Sequence, residues 1–251
     1  MLGLPDGVRA CLFDLDGVLT KTAVVHAAAW KEMFDAFLEG PAAAGVGTEQ
    51  RRPFDPHGDY DDYVDGKPRL DGVRDFLASR RITLPEGTPD DPPGAPTVQG
   101  LAARKNEIVL RRIEEDGVEA YPGSVAYVRA ARDAGLRRAV VSSSSNCRDV
   151  LESAGILELF EARVDGIVAE AEHLRGKPAP DTFLAGARLL GVEPAAAAVF
   201  EDALAGVAAG RAGHFGHVVG VDRVGQADEL AAHGADRVVA DLAELLGGSG
   251  D

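Results

Sequence analysis

The stretch that decides the fold is ACLFDLDGVLT, at residues 10–20. It opens with four apolar residues, which predict a buried strand, and continues with two nearby carboxylates, Asp14 and Asp16. Side chains two residues apart point to the same side of an extended chain, and Gly17 allows the backbone to turn away after them. Ligands of open α/β sheets bind beyond the carboxyl ends of the strands, so we predict a binding site at this pair. Taken alone, the same pattern also fits a turn or a helix cap.

The rest of the chain largely alternates between strand-like and helix-like segments. Short apolar runs predict strands at residues 8–13, 138–141, 197–200, 217–221 and 237–240. Longer segments predict helices at residues 124–134, 146–154, 180–190, 203–211 and 226–233. This alternation indicates parallel β-α-β units, and continuous apolarity suits strands that are buried on both faces. We therefore predict an α/β fold with a Rossmann-like, doubly wound parallel sheet.

One long segment interrupts the alternation and is predicted to be an inserted α-helical cap. Its regular parts fit helices at residues 24–38, 73–79 and 98–115. The stretches at residues 39–58 and 83–97 are dense in Gly, Pro and Ala, and we interpret them as loops. We thus expect a core domain formed by residues 1–22 and 121–251, and a cap domain formed by residues 23–120.

The composition excludes several classes of protein. The 251 residues carry 26 Lys and Arg against 41 Asp and Glu, a formal net charge of −15, whereas nucleic acids and anionic membranes attract positive charge. Only two cysteines are present, Cys11 and Cys147, which predicts no disulfide framework and favours a reducing compartment. Neither a signal peptide nor an apolar run of membrane-spanning length is recognisable. We expect a cytoplasmic protein without nucleic-acid or membrane partners, as a monomer or a weak homo-oligomer.

Polar side chains recur at the ends of other predicted strands. The segment SSSSN, residues 142–146, follows one strand, and Glu201 and Asp202 follow another. Four carboxylates in one pocket would repel one another unless a cation lay among them, and an all-oxygen set without His or Cys suits Mg²⁺. The segment GKPAPD adds Lys177, whose positive charge suits a phosphoryl group in transfer. A phosphorylated substrate and a Mg²⁺ cofactor are therefore predicted.

The chain resembles the haloacid dehalogenase superfamily at four core motifs, DLDGVLT, VVSSSSN, GKPAPD and FEDALAG, and more closely its β-phosphoglucomutase-like branch. The resemblance covers nearly the whole chain. It implies a Mg²⁺-dependent phosphotransferase that interconverts β-D-glucose 1-phosphate and glucose 6-phosphate. The expected route passes through an aspartyl-phosphate enzyme and glucose 1,6-bisphosphate, a small phosphorylated sugar.

The resemblance also implies roles for the core residues. Asp14 would be the nucleophile, and Asp16 the general acid and base. The metal would be held by Asp14, the backbone carbonyl of Asp16 and Asp202, with Glu201 close by. The phosphate-binding residues would be Ser142 and Lys177 for the reacting group and Ser144, Ser145 and Asn146 for the distal one, and Ser143 is expected to bind phosphate as well.

In the predicted cap, Thr22, His26 and Trp30 lie four residues apart and hence on one face of a helix. They match a T, H and W pattern of the family, which implies that His26 reaches the acid/base aspartate and the substrate. Plain core packing is the alternative for His26 and Trp30. The resemblance makes Arg69 and Lys105 anchors for the second phosphate.

One position departs from the family pattern. Where the family has a lysine just before the glycine of its KGxxR segment, this chain has Asp65, and its nearest lysine is Lys67. Either Lys67 substitutes for the missing lysine, or the selectivity for the acceptor differs.

The core motifs alone do not separate a mutase from a phosphatase. The nearest alternative is a Mg²⁺-dependent phosphatase that acts on a hexose or disaccharide phosphate, with water as the acceptor. The other is a non-catalytic binding protein with the same fold. Retention of Asp14, Asp16, Ser142, Lys177 and Asp202 argues against it, because a protein without catalysis has no need to keep mutually repelling carboxylates together.

Overall fold

Six parallel strands form a central sheet within residues 2–247, which are the residues that the structure, a computed structural model, describes. The strands are β1 Ala10–Phe13, β2 Arg137–Val141, β3 Ala162–Val164, β4 Ala197–Glu201, β5 His217–Val221 and β6 Arg237–Val239. Their order in the sheet is β3-β2-β1-β4-β5-β6, and every neighbouring pair is parallel. The predicted α/β fold is confirmed. Because β1 lies between β2 and β4, the carboxyl ends of these three strands meet at one edge.

Helices connect the strands and form the inserted segment. They are α1 Thr22–Glu39, α2 Arg69–Ser79, α3 Val98–Asp116, α4 Pro122–Asp133, α5 Cys147–Ser153, α6 Gly166–Ala171, α7 Asp181–Leu190, α8 Leu204–Ala212 and α9 Ala227–His233. A turn of π-helix, Tyr60–Val64, precedes α2. Among residues 2–247, no helix has both the length and the apolarity that crossing a membrane requires.

The described chain divides into two compact units. One, here called the core unit, holds the residues up to Thr22 and those from Val118 onward; the other, the cap unit, spans Ala23–Gly117. The predicted domain boundary after residue 120 lies three residues beyond the second division, at residue 117. The predicted core domain also included residues 1 and 248–251, which lie outside the described residues.

The central strands of the core unit are apolar up to their carboxyl ends because helices cover both faces of the sheet. All residues of β1 and β4 are buried. On α7, a Cβ added to Gly186 would lie 2.8 Å from Leu12 Cδ2 and 3.0 Å from Val141 Cγ2, so glycine lets this helix approach the sheet closely. This packing fixes where the strands end, and hence where the polar residues that follow them lie.

Aromatic side chains form the centre of the cap unit. The ring of Phe34 on α1 lies 3.9 Å, between centroids, from that of Phe76 on α2, and 5.5 Å from that of Phe54. Phe54 belongs to the segment predicted as a loop at residues 39–58. The segment is irregular apart from a short 3₁₀ turn, Pro41–Ala43, yet it supplies a core side chain to this unit.

The sequence predicted five of the six strands and missed β3 and α6. The three residues of β3 have Arg163 in the middle and so form no apolar run, and the six residues of α6 are too few for a helical period to be recognised. Helix α2 begins at Arg69, four residues before the predicted start, because the chain becomes helical directly after Pro68.

Candidate active site

Polar residues directly follow or complete β1, β2 and β4 at one edge of the sheet. The N–H of Asp14 extends the ladder after β1 by donating to the Phe200 carbonyl oxygen at 2.9 Å. The N–H of Ser142 donates in the same way to the Val164 carbonyl oxygen, also at 2.9 Å. Glu201 is the last residue of β4. Sheet pairing therefore brings together three predicted site residues that are far apart in the sequence.

A buried charged cluster, Asp14, Lys177 and Glu201, lies at this edge. The Lys177 ammonium donates to a carboxylate oxygen of Asp14 and to one of Glu201, and it lies 3.3 Å from the Val141 carbonyl oxygen. The side chain of Lys177 is 1% exposed, that of Asp14 10% and that of Glu201 0%. The second oxygen of Glu201 accepts from the N–H of Ala203 at 2.9 Å. Glu201 is thus held by the protein at both of its oxygens.

Burial and charge oppose each other in this core cluster. Burial raises the pKa of the Asp14 carboxyl, Lys177 opposes the rise, and Glu201 and Asp16 add to it, so this pKa lies well above its ordinary range. Burial by itself lowers the pKa of the Lys177 ammonium, but the two carboxylates outweigh burial and raise it. Lys177 therefore keeps its positive charge, and further positive charge is needed to stabilise ionised Asp14.

The neighbouring carboxylates fit a site for a hard divalent cation. One oxygen each of Asp14, Glu201 and Asp202 lies within 4.8 Å of the other two. With Asp16 they bring four negative charges against the single positive charge of Lys177, a formal excess of three. An all-oxygen donor set without His or Cys suits Mg²⁺ better than Zn²⁺, and a divalent cation would offset most of this excess.

Two glycines that sequence analysis did not treat as site residues allow these carboxylates to approach the backbone. Gly17 has φ of +83°, and a Cβ there would lie 1.6 Å from Asp202 Oδ2. A Cβ on Gly206 would lie 1.8 Å from Glu201 Oε1. Any side chain at either position would displace a carboxylate of the site. Of the two, only Gly17 was recognisable from the sequence, because it follows the two aspartates directly.

Asp16 lies in the turn after β1. Its carboxylate accepts a hydrogen bond from the Thr22 hydroxyl at the start of α1. The Thr22 and Thr20 hydroxyls lie 2.7 Å apart, and the Thr20 hydroxyl donates to the Leu15 carbonyl oxygen at 3.2 Å. Sequence analysis did not single out Thr20. The carboxylate of Asp16 is not one of the three that converge at the candidate cation site. Its position, with the carboxylate oriented by Thr22, is compatible with the predicted acid/base role.

The serine segment after β2 folds into a compact loop. The Ser142 hydroxyl accepts from the N–H of Ser144 at 3.0 Å, and the Ser144 hydroxyl accepts from the N–H of Asn146 at 3.2 Å. The N–H of Gly166, at the start of α6, donates to the Ser144 carbonyl oxygen at 3.1 Å, and a Cβ there would lie 2.9 Å from the Ser143 carbonyl oxygen. The predicted phosphate-binding residues of this segment therefore share one loop, supported by an element that the sequence did not reveal.

In the cap unit, three of the predicted residues form a group of their own. Lys105 Nζ lies 2.6 Å from His26 Nδ1 and 4.7 Å from the centroid of the Trp30 ring. Because an ammonium only donates, Nδ1 accepts, and the proton of the neutral imidazole is then on Nε2. A Cβ on Gly72 of α2 would lie 3.2 Å from the Trp30 ring. Trp30 thus packs in the cap core while it also contacts Lys105.

The remaining predicted cap residues lie at the start of α2. Arg69 Nη1 donates to Asn106 Oδ1 at 2.5 Å, which links Arg69 to the chain neighbour of Lys105. Lys67 Nζ pairs with Asp75 at 2.8 Å and donates to a carbonyl oxygen at 3.3 Å. Lys67 is therefore held in an ion pair within the cap. Asn106 was not singled out by the sequence, although it follows Lys105 directly.

The chain is similar to known proteins of one family over nearly its whole length. The model of haloacid dehalogenase-like hydrolases matches residues 8–214. The β-phosphoglucomutases of Mycobacterium tuberculosis and Mycobacterium bovis are each 58% identical over 249 residues, covering 98% of this chain and 94% of theirs. The β-phosphoglucomutase of Bacillus subtilis is 31% identical over 246 residues, covering 95% of this chain and 92% of its own.

A solved structure gives the same architecture. The crystal structure of a β-phosphoglucomutase from Clostridium difficile matches with a TM-score of 0.70 and 24% identity, over 95% of this chain and 93% of the other. At this identity the likeness shows a shared fold.

Proposed function

This chain belongs to the haloacid dehalogenase-like hydrolase family, and we propose that it acts as a β-phosphoglucomutase. In this proposal it interconverts β-D-glucose 1-phosphate and glucose 6-phosphate, with glucose 1,6-bisphosphate as intermediate. The observation that carries the proposal is the 58% identity to the two mycobacterial β-phosphoglucomutases, which extends over 98% of the chain and so includes both the core and the cap unit.

Asp14 and Asp16 carry the chemistry in this proposal. A carboxylate oxygen of Asp14 attacks phosphorus, the bond from phosphorus to the sugar oxygen breaks, and Asp16 gives its proton to that oxygen. In the second half, a sugar hydroxyl attacks the phosphorus of the aspartyl-phosphate. Asp16 takes the hydroxyl proton, and the carboxylate of Asp14 leaves. The hydrogen bond from Thr22 orients Asp16 for both proton transfers.

Positive charge supports the transfer of an anionic group. Lys177 already contacts Asp14, so its ammonium is suited to binding an oxygen of the phosphoryl group that Asp14 receives. The Ser142 hydroxyl, at the same edge of the sheet, donates to a second oxygen. Mg²⁺, held by Asp14, Asp202 and the backbone carbonyl of Asp16, would neutralise charge on the transferring group. Glu201 holds Lys177 in place.

The cap unit supplies the second anion site that a mutase needs, because the bisphosphate must present either end to Asp14. We assign Arg69 and Lys105 of the cap unit to the distal phosphate, and we keep Ser144, Ser145 and Asn146 of the core unit as proposed phosphate-binding residues. Two cationic side chains in the cap would favour an anionic ligand, and the hydrogen bond to Asn106, which follows Lys105 in the sequence, orients Arg69. His26, whose Nδ1 is occupied by Lys105, would present Nε2–H as a donor to the substrate.

The acceptor site is the part of the proposal that departs from the family pattern. Asp65 stands in place of the expected lysine, and Lys67 is paired with Asp75. A carboxylate favours neutral hydroxyls over phosphate, so Asp65 is assigned here to a sugar hydroxyl.

Phosphorus NMR would test the reaction directly. Purified protein would be given Mg²⁺, β-glucose 1-phosphate and a trace of glucose 1,6-bisphosphate, and glucose 6-phosphate and free phosphate would be followed together. Conversion to glucose 6-phosphate with little free phosphate is expected. Release of free phosphate alone would instead establish a phosphatase, and silence on this sugar would refute the assigned substrate.

Replacing Arg69 separates the cap's role from that of the core. Arg69→Ala should reduce mutase turnover much more than hydrolysis of a small phosphate ester, because only the bisphosphate has a distal phosphate to anchor. Arg74→Ala is the matched control, since Arg74 lies on the same helix but pairs with Asp71 and Glu86 at the surface. Equal losses in both assays for Arg69→Ala would contradict an anchoring role.

We further propose that the protein works in the cytoplasm as a monomer or weak homo-oligomer. Both cysteines are buried, unpaired thiols, as suits a reducing compartment. Burial raises the pKa of the Cys11 thiol to about 12, which keeps it unreactive. Size-exclusion chromatography with light scattering would measure the oligomeric state.

A further inference from the structure

The segment 222–226, between β5 and α9, has no part in the mechanism above, yet it is highly ordered by its own hydrogen bonds. The carboxylate of Asp222 accepts from the N–H groups of Val224, Gly225 and Gln226 at 3.2, 2.7 and 2.9 Å. Three backbone donors on one carboxylate oxygen fix the conformation of the segment. The side chains that it carries are therefore presented from a rigid support.

Arg223, in this segment, reaches the loop that bears the nucleophile. Its Nε donates to the Gly17 carbonyl oxygen at 2.8 Å. Its Nη1 donates to the Ala240 carbonyl oxygen at 2.7 Å and contacts Asp241 at 3.2 Å. The guanidinium carbon lies 3.6 Å from the centroid of the Tyr121 ring, and the side chain is 15% exposed. Four contacts on one half-buried guanidinium leave it little freedom to move.

Gln226, three residues later, reaches the other acidic segment. Its Nε2 donates to the Asp202 carbonyl oxygen at 3.1 Å. The same short segment thus binds a main-chain carbonyl in each of two loops, that of Gly17 after β1 and that of Asp202 after β4. Both loops carry proposed metal ligands.

The contact between these two loops tolerates little displacement. Gly17 lies against the Asp202 carboxylate so closely that a Cβ would overlap it. The carbonyl of Asp16, a proposed metal ligand, is one peptide unit away from the Gly17 carbonyl that Arg223 binds. A shift of either loop would therefore change the separation of two ligands of one ion.

We propose that Arg223 and Gln226 are positioning residues, which hold the nucleophile loop and the Asp202 loop at the separation that Mg²⁺ binding requires. The inference rests on the proposed function only for the presence of the metal, and not for the identity of the sugar. Hydrogen-bonded partners outside a metal's ligand set typically contribute about 10-fold or more to its affinity. Arginine suits this role because its planar fork donates in several fixed directions while it stacks on a ring, which a lysine cannot do.

The sign of the effect distinguishes positioning from simple electrostatics. Removing a positive charge next to an anionic metal site should tighten Mg²⁺ binding if charge alone matters. Loss of positioning should weaken it. Arg223→Met and Arg223→Lys are therefore both needed, because the second keeps the charge and loses the geometry.

The experiment is a calorimetric titration of Mg²⁺ into the full chain, without sugar, below the unfolding temperature of every variant. Arg223→Met and Arg223→Lys are expected to weaken Mg²⁺ binding by about 10-fold. Gln226→Leu, which removes one hydrogen bond, should weaken it by a smaller factor and covers the case in which the arginine variants unfold. Arg138→Met is the matched control, since Arg138 is a buried arginine that donates to the Leu159 carbonyl oxygen at 2.8 Å near the amino end of β2.

Each outcome of the titration supports or overturns the positioning role of Arg223 and Gln226. Weaker Mg²⁺ binding in the Arg223 and Gln226 variants, with the affinity of Arg138→Met unchanged, is the expected result. Tighter binding in Arg223→Met with no change in Arg223→Lys would overturn the inference in favour of electrostatics. Equal losses in Arg138→Met, or no binding of Mg²⁺ by the unmodified protein, would overturn it as well. Mutase activity plays no part in this readout, so failure of the proposed sugar specificity would be seen separately.

Discussion

Two charge clusters, each built around a buried ion pair and one in each unit, differ in how their charges are balanced. In the core cluster, Lys177 lies between Asp14 and Glu201, with Asp202 converging on the same point. In the cap cluster, defined by Asp59, Arg80 and Arg52, the order of charges is reversed, and one carboxylate lies between two guanidinium groups. One cluster has an excess of negative charge and the other an excess of positive charge.

The protein satisfies the cap cluster by itself. Asp59 is 2% exposed and accepts from Arg80 at 2.5 Å, from Arg52 at 3.0 Å and from the N–H of Asp55 at 2.9 Å. Arg80, 4% exposed, also donates to the Arg52 carbonyl oxygen at 2.9 Å and lies over the Phe76 ring. The cluster attaches an irregular segment to α2. The hydrogen bonds that Asp59 accepts within the protein indicate a structural role, whereas the unbalanced carboxylates of the core require a cation and a ligand.

The largest effect should come from removing the nucleophile. Asp14→Asn is expected to lower phosphoryl transfer by about 10⁴-fold or more, because an amide forms no acyl phosphate. Folding should not suffer, since the formal negative excess at the site falls from three to two. Rapid-quench assay of the phosphoenzyme and thermal unfolding would measure both. Retention of more than about a tenth of the rate would rule out Asp14 as the nucleophile.

Removing the cation of the core cluster should lower stability, in addition to its effect on phosphoryl transfer. Lys177→Met leaves Asp14 and Glu201 buried without their partner, and breaking a buried ion pair in this way lowers the free energy of unfolding by about 3–5 kcal/mol. Urea unfolding with and without Mg²⁺ would measure the loss, which Mg²⁺ should partly restore by binding only the folded state. An unchanged unfolding midpoint would contradict the coupling seen in the structure.

The corresponding change in the cap tests whether the two clusters differ in kind. Asp59→Asn leaves Arg80 buried beside a neutral amide, and should lower the free energy of unfolding by about 3 kcal/mol. Mg²⁺ affinity and the rate of Asp14 phosphorylation per folded molecule should stay the same, because the cap cluster has no ligand role. A clear loss of Mg²⁺ affinity would break the distinction between the clusters.

The smallest effect is expected at an exposed pair. Arg74 and Glu86 form an ion pair in which both side chains are about half exposed, so solvent screens their attraction. Glu86→Gln should change the free energy of unfolding by less than about 1 kcal/mol, and less still at high salt. Denaturant unfolding at two salt concentrations would measure it. A loss comparable with that of Asp59→Asn would show that burial is not what separates these pairs.

Much of the fold could be predicted because its signals are local. β1 is a continuous apolar run, and β4 and β5 contain such runs before Glu201 and after His217, since both faces of a covered parallel sheet are buried. β3 could not be predicted in the same way. Its three residues owe their conformation to hydrogen bonds with β2, through pairs such as Ala162 with Ala139, and not to a period of their own.

In the candidate site, too, only the residues with a local signal in the sequence could be predicted. Asp14, Asp16, Glu201 and Asp202 were recognisable because they follow predicted strands directly. Gly206 could not be recognised in the sequence, because its importance lies in the Glu201 carboxylate packed against it. The six-residue helix α6, which supports the serine loop, could not be recognised either.

The sequence by itself determined which chemistry-bearing residues follow which strands, since strand and helix periods are set by each residue and its near neighbours. Only the tertiary structure decided which donor meets which acceptor. Lys177 contacts Asp14 across 163 residues, and Arg223 reaches Gly17 across 206. Such contacts depend on how sheet order and helix packing bring distant loops together. Local sequence patterns do not predict these contacts, because a hydrogen bond depends on distance and angle in space and not on separation along the chain.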